Sequence, residues 1–101
     1  MIIYNITYSV EPSVADFFIQ WMKENHVPKV NVLPEIKALK IYKLRTDLGE
    51  GHGVNFTFQY VFNQNIELDL FLKNHSDNLR NEVFRKFHGF YADFDTVLDE
   101  V

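Results

Sequence analysis

Apolar and polar residues alternate through the first ten positions of the chain, and then the period changes. Ile2, Tyr4, Ile6, Tyr8 and Val10 share one parity; Ile3, Asn5, Thr7 and Ser9 share the other. A repeat of two gives a β-strand with one apolar face. Glu11-Pro12-Ser13 ends the strand, and Pro12 suits the first turn of a helix. Val14, Phe17, Phe18 and Trp21 then recur at i, i+3, i+4 and i+7, the spacing of a helix with a core-facing stripe. Pro28 predicts a break or kink near His26 and Val27, because a proline inside a helix lacks the N–H and crowds the preceding turn. A short helical turn over 28–33 is expected to follow.

A second strand is predicted over 35–45, with weaker alternation. Ile36, Ala38, Tyr42 and Leu44 lie on one side, Leu39 and Ile41 on the other. The glycine-rich run 47–53 reads as a flexible connection to a third strand. There Val54, Phe56, Phe58, Tyr60 and Phe62 alternate with Asn55, Thr57, Gln59 and Val61. Asn63, Gln64 and Asn65 offer helix caps, and a helix is predicted over 66–87. Its inner stripe is Leu68, Phe71, Leu72, His75, Leu79, Val83 and Phe87. Weak helix formers from Asn74 to Asn78 predict a kink near Ser76. Gly89 suits the C-cap, and a fourth strand over 90–98 precedes an acidic tail.

The order β-α-β-β-α-β over 101 residues points to the α+β class, with one ferredoxin-like domain spanning the chain. Right-handed crossovers then give a four-stranded antiparallel sheet of order 4-1-3-2, with both helices on one face. Even-numbered apolar residues of strands 1 and 3 should face the helices. The opposite face carries Ile3, Asn5 and Thr7 from strand 1 and Asn55, Thr57, Gln59 and Val61 from strand 3. Leu39 and Ile41 are assigned to it from strand 2. A water-facing sheet normally carries Lys, Glu and Arg at its centre. An uncharged one is expected to meet a second copy, giving a homodimer in the form of a dimeric α+β barrel.

Composition narrows the functions. Apolar residues are 47% and aromatic ones 16%, so a Phe-rich core is expected. The absence of cysteine removes disulfides, thiolate catalysis and thiolate metal sites, and fits a cytoplasmic location. The N-terminus has no basic and apolar segments of a secretory signal. No run of about 18 apolar residues is present, so no membrane contact is expected. A net charge of -4 disfavours nucleic acid and anionic lipid. The stretch from His52 to Phe58 also lacks the basic and aromatic pattern of an RNA-recognition strand.

No phosphate loop, nucleophile elbow or metal-ligand spacing appears. His26, His52, His75 and His88 are not paired at short spacing; His75 is read as a partly buried, hydrogen-bonded imidazole and His52 as exposed. No metal, cofactor or catalytic residue is therefore expected. Lys37, Lys40, Lys43 and Arg45 read as charges that protect an edge strand from aggregation.

The string Trp21-Met22-Lys23-Glu24-Asn25-His26-Val27-Pro28 is the most distinctive in the chain. With Ile3-Tyr4-Asn5, Gln59-Tyr60, Leu79-Arg80 and 94–98, it resembles a bacterial family known as domain of unknown function 4286. The resemblance covers nearly the whole chain and implies a ferredoxin-like shape related to dimeric α+β barrels. It implies no activity. The segment 31–36 departs from the family's pattern after the first helix.

Two functions remain. One is a non-enzymatic homodimeric module binding a small ligand of unknown identity or a protein. The other is a cofactor-poor or haem-related monooxygenase-like enzyme acting between helices and sheet. Asn5, Trp21, His26, Gln59, Tyr60 and Arg80 are the ligand-binding candidates for that gap, with His26 as base or haem ligand and Arg80 as carboxylate clamp. A gap plugged by Phe17, Phe18, Phe56, Phe58 and Phe71 favours the module, and a plugged gap is expected.

Overall fold

The computed structural model describes residues 1–45 and 53–101. Four strands, β1 (Ile2–Val10), β2 (Ala38–Lys43), β3 (Val54–Phe62) and β4 (Tyr91–Asp99), form one sheet in the order β2-β3-β1-β4. All neighbours are antiparallel. This is the predicted order 4-1-3-2 read from the other edge. The glycine-rich connection and His52 lie outside the described residues.

Helix α1 covers 15–31 and follows a 3-10 turn at Pro12–Val14. It runs as α-helix over Ala15–Trp21, widens to a π-helical turn at Met22–His26, and resumes over Val27–Asn31. Helix α2 covers 65–87 in the same manner: Asn65–Phe71, a π-helical turn at Leu72–Ser76, then Asp77–Phe87. The Gln64 N–H donates to the Glu67 carboxylate at 3.0 Å, closing its first turn. Gly89, at φ 88, lets the chain turn from α2 into β4.

The widened turn of α1 accommodates Pro28. Near His26 and Val27, where a break or kink is predicted, α1 widens and then resumes rather than ending. A proline ring clashes with the carbonyl four residues back. Here the preceding turn is already wide, with the Val27 N–H bonded to the Met22 carbonyl, five residues back. The buried residues of α1 are Ala15, Phe18, Met22, His26 and Val30. Steps of four overshoot a 3.6-residue turn by about 40° each, and the wide turn absorbs this drift. Phe17, expected inside, is therefore 54% exposed and packs on Phe87 and Lys86 at the surface.

In α2 the extra residue falls between Phe71 and Leu79. Ser76 points inward instead of His75, and Leu72 is left 36% exposed. His75 sits at the surface of the stripe with Nε2 3.1 Å from the Glu35 carboxylate.

The core lies between helices and sheet. Tyr4, Ile6, Tyr8, Phe56, Phe58, Tyr60 and Phe62 rise from the central strands into Phe18, Met22, Phe71 and Val83. The Phe18 ring packs edge-on to Phe87 at 5.0 Å, and Tyr8 edge-on to Phe58 at 5.3 Å. Burying each such side chain contributes about 1.5–3 kcal/mol.

Strand β2 corrects one prediction. Leu39 pairs with Tyr60 and Ile41 with Phe58. Directly opposed residues share a face, so Leu39 and Ile41 point toward the helices and pack on the core cluster. Ala38, Lys40 and Tyr42 occupy the open face instead. Both parities of this strand are apolar, so its pattern alone did not fix which side is in. The pairing with β3 did.

Candidate functional site

Polar groups in the helix-sheet layer gather at the two π-helical turns. The first turn carries His26, buried at its C-terminal end. The second carries Ser76 inward. Under them stand three tyrosines of the inward parity, Tyr4 and Tyr8 on β1 and Tyr60 on β3. A buried tyrosine hydroxyl ordinarily needs a partner.

Tyr60 finds one in His26, with its hydroxyl 2.6 Å from Nε2. Burial pushes the His26 imidazole down to about 4, against the opposing pull of Glu82. The ring is therefore neutral near pH 7, with one nitrogen protonated, and Nε2 shares a hydrogen bond with the Tyr60 hydroxyl. Burial holds the Tyr60 phenol well above its ordinary value, so it stays protonated.

Tyr4 belongs to a second, wetter group. Its hydroxyl donates to Asp95 at 2.5 Å and accepts from Arg80 Nη1 at 3.1 Å. Arg80 also donates to Asp95 at 3.1 Å and to Asp93 at 2.9 Å. Burial raises Tyr4, and the Asp95 contact raises it further. The Tyr4 hydrogen bond and the Arg80 charge hold Asp95 below the usual carboxylate range. Burial works against the Arg80 charge, but Asp93 outweighs it and the guanidinium stays above its ordinary value. Arg80 is thus spent on two carboxylates of its own chain.

Tyr8 lies between the groups. Its hydroxyl is buried, beside that of Tyr60 but without a hydrogen-bond partner in the described structure. Burial holds its phenol far up.

Of the six ligand-binding candidates, His26, Tyr60 and Arg80 reach this layer. Asn5 and Gln59 do not. They are cross-strand partners on the opposite face, since their odd parity turns them away from the helices. Trp21 lies at the outer surface of α1, edge-on to Phe87 at 5.5 Å. Sequence reasoning missed Tyr4, Tyr8, Ser76, Asp93 and Asp95. The inward parity of the tyrosines was a readable signal. The aspartates at alternate positions of β4, facing Arg80, were a weaker one.

The layer leaves little room for a substrate. Phe18 and Phe58 are 0% exposed, Phe71 2% and Phe56 5%. Among the described residues, clefts lie outside it. One of about 400 Å³ sits between the helices, walled by Lys29, His75, Glu82 and Arg85. Another of about 650 Å³ lies at the sheet end beside Ser9, Gly53 and Tyr91. A third of about 350 Å³ borders Trp21. Among the described residues no three His, Asp or Glu side chains converge as metal ligands. No described helix is long and apolar enough to cross a membrane.

A family model described as Domain of unknown function (DUF4286) matches residues 1–101. No curated protein matches the sequence. Among solved structures, an EthD family protein from Bacillus halodurans is similar at 16% identity and TM-score 0.69, over 100% of both chains. An antibiotic biosynthesis monooxygenase is 17% identical at TM-score 0.69, over 100% of this chain and 99% of its own. The de novo designed protein Foldit4 is 8% identical at TM-score 0.65, over 99% and 98%. A designed protein shares the shape as readily as a monooxygenase does, so these likenesses describe the fold alone.

Proposed function

The chain belongs to the domain of unknown function 4286 family, whose description carries no reaction, and we propose that it is a non-enzymatic homodimeric module that binds a small ligand or a protein in the cytoplasm. The observation that carries this reading is the filled helix-sheet layer. Phe18, Phe56, Phe58 and Phe71 occupy the volume that a planar substrate needs, and Arg80 is neutralised by Asp93 and Asp95. The uncharged centre of the open face supports self-association there, leaving the helices and their cleft outward for a partner.

The experiment is a pair of measurements on untreated protein. Light scattering at tens of micromolar should read twice the 12.0 kDa chain mass. Titration with haem should leave the haem spectrum unchanged. A monomer would remove the dimer, and a haem-bound spectrum would remove the non-enzymatic reading.

The buried Tyr60–His26 hydrogen bond and the likeness to an antibiotic biosynthesis monooxygenase favour a second reading. In it the layer opens, Tyr60 accepts from Nε2–H and orients the ring, and the free Nδ1 takes a substrate proton. Oxygen uptake in the presence of planar phenolic compounds, lost in Tyr60→Phe, would support it over the module.

A further inference from the structure

The cleft between the helices has two walls of different origin. From α2 it takes His75, Leu79, Glu82 and Arg85; from α1 and the turn after it, Lys29 and Leu33. The cleft that borders Trp21 shares Glu82 and Arg85 with it, so these two side chains stand where the clefts meet. Most of the charges are already matched. Lys29 donates to Oε2 of Glu82, leaving Oε1 open among the described residues. His75 lies on Glu35, and Lys86 rests over the Phe17 ring at 5.4 Å. Arg85 is different: among the described residues no carboxylate lies within ion-pairing distance of it.

We propose that this cleft binds a free α-amino acid with an aliphatic side chain; the assignment rests on the binding-module reading above and names its ligand class. Leu79, Glu82 and Arg85 succeed one another at steps of three, each a rise of about 4.5 Å along the helix. They offer, in that order, an apolar surface, an anion and a cation. An amino acid presents the complementary series: aliphatic side chain, ammonium, carboxylate. Arg85 takes the carboxylate through its fork of N–H donors. The ammonium donates to Oε1 of Glu82. The side chain lies on Leu79, which is 7% exposed, and on Leu33 across the cleft. The ligand brings no net charge, so the balance of the cleft is kept. A volume of about 400 Å³ lies at the lower end of ligand pockets and suits a molecule of this size.

Other small ligands fit less well. A plain carboxylic acid satisfies Arg85 but lays its apolar body over the Lys29–Glu82 pair, which loses water and gains no hydrogen bond. A plain amine meets Glu82 but faces Lys29 and Arg85. A phosphate dianion stands beside the Glu82 carboxylate, where like charges repel. The helix dipole favours a cation in the last turn of α2, and Lys86 already supplies one there. It gives no reason for Arg85 to border the cleft without a carboxylate.

The test is amide NMR on the whole chain, titrated with L-leucine, with isocaproate, which lacks the ammonium, and with isoamylamine, which lacks the carboxylate. Leucine is expected to saturate with a Kd of about 1 mM or below. The shifted amides should fall over 29–33 and 75–86. Each truncated analogue should bind at least about tenfold more weakly, the loss of one charged hydrogen-bonding group. Arg85→Gln should weaken leucine by about tenfold or more, with the fold intact in the dispersion of the same spectra. Glu82→Gln should weaken leucine to a similar degree yet leave isocaproate no weaker. No leucine-dependent shift up to about 10 mM overturns the assignment. Equal binding of leucine and isocaproate overturns it too, as does unchanged leucine affinity in Arg85→Gln. Shifts confined to the open sheet face or to the inner layer overturn the site as well. In each case the module reading is judged separately, by the mass and haem measurements.

Discussion

Gln59 and Tyr60 are adjacent in the sequence and serve opposite sides of one strand. Tyr60 enters a layer that is apolar except for His26 on its hydroxyl, Arg80 and Asp95 on Tyr4, and the unpartnered hydroxyl of Tyr8. Gln59 enters a face with no helix over it, whose small amides and hydroxyls sit between Ile3, Val61 and Leu98 on one side and Tyr42 and Phe94 on the other. The inner face is a finished core. The outer face has the composition of half an interface. The difference teaches where function can reside: His26, Tyr60, Tyr4 and Arg80 hold one another, whereas Tyr42, Phe94 and Leu98 of the outer face still have apolar surface to bury.

The comparison breaks most directly at the centre of the core. Phe18→Ala should cost about 3–5 kcal/mol of stability by leaving a cavity among Tyr8, Phe56 and Phe87. Chemical denaturation measures it. A loss below about 1 kcal/mol would mean that the layer is loose enough to admit a ligand.

Acid is the next strongest probe. The unfolded chain binds a proton at His26 below about pH 6.5, the folded chain only near 4. Stability therefore holds above pH 6.5 and falls as pH drops toward 4. The loss from this group is about 3 kcal/mol at most. Urea midpoints at pH 7.5 and 4.5, compared between the native chain and His26→Gln, isolate it. Equal pH dependence in both would show that the imidazole is not the buried neutral partner of Tyr60.

Tyr60→Phe should cost about 1–3 kcal/mol, because it strips the buried imidazole of its hydrogen-bond partner. The dimer should survive it. Thr57→Lys should do the reverse. Its effect on the folding of one chain should stay within about 0.5 kcal/mol, yet it places an unpaired charge at the centre of the open face and should leave only monomer in light scattering. Unchanged association would move the interface elsewhere.

The fold was legible because its two periods are clean where they matter. The even parity of β1 and β3 is buried except at the strand ends Ile2 and Val54, Asn5 and Val61 are the odd residues buried with it, and Gly89 closes α2 as predicted. The candidate site was half legible. His26, Tyr60 and Arg80 stand in one layer, but Asn5 and Gln59 lie on the open face where parity placed them, and so away from the gap for which they were also named. Ser76 was out of reach, because a stripe drawn at helical spacing passes through His75, and one extra residue in a turn shifts everything after it.

Alternation and helical spacing alone determined that this chain makes four strands and two helices, and which faces of the central strands seek the interior, because side-chain direction follows backbone period. Only the tertiary structure decided which side of β2 turns inward and that each helix widens at one turn. It also decided that Arg80 is held by Asp93 and Asp95. Those outcomes depend on partners distant in the sequence, and a local pattern carries no record of them.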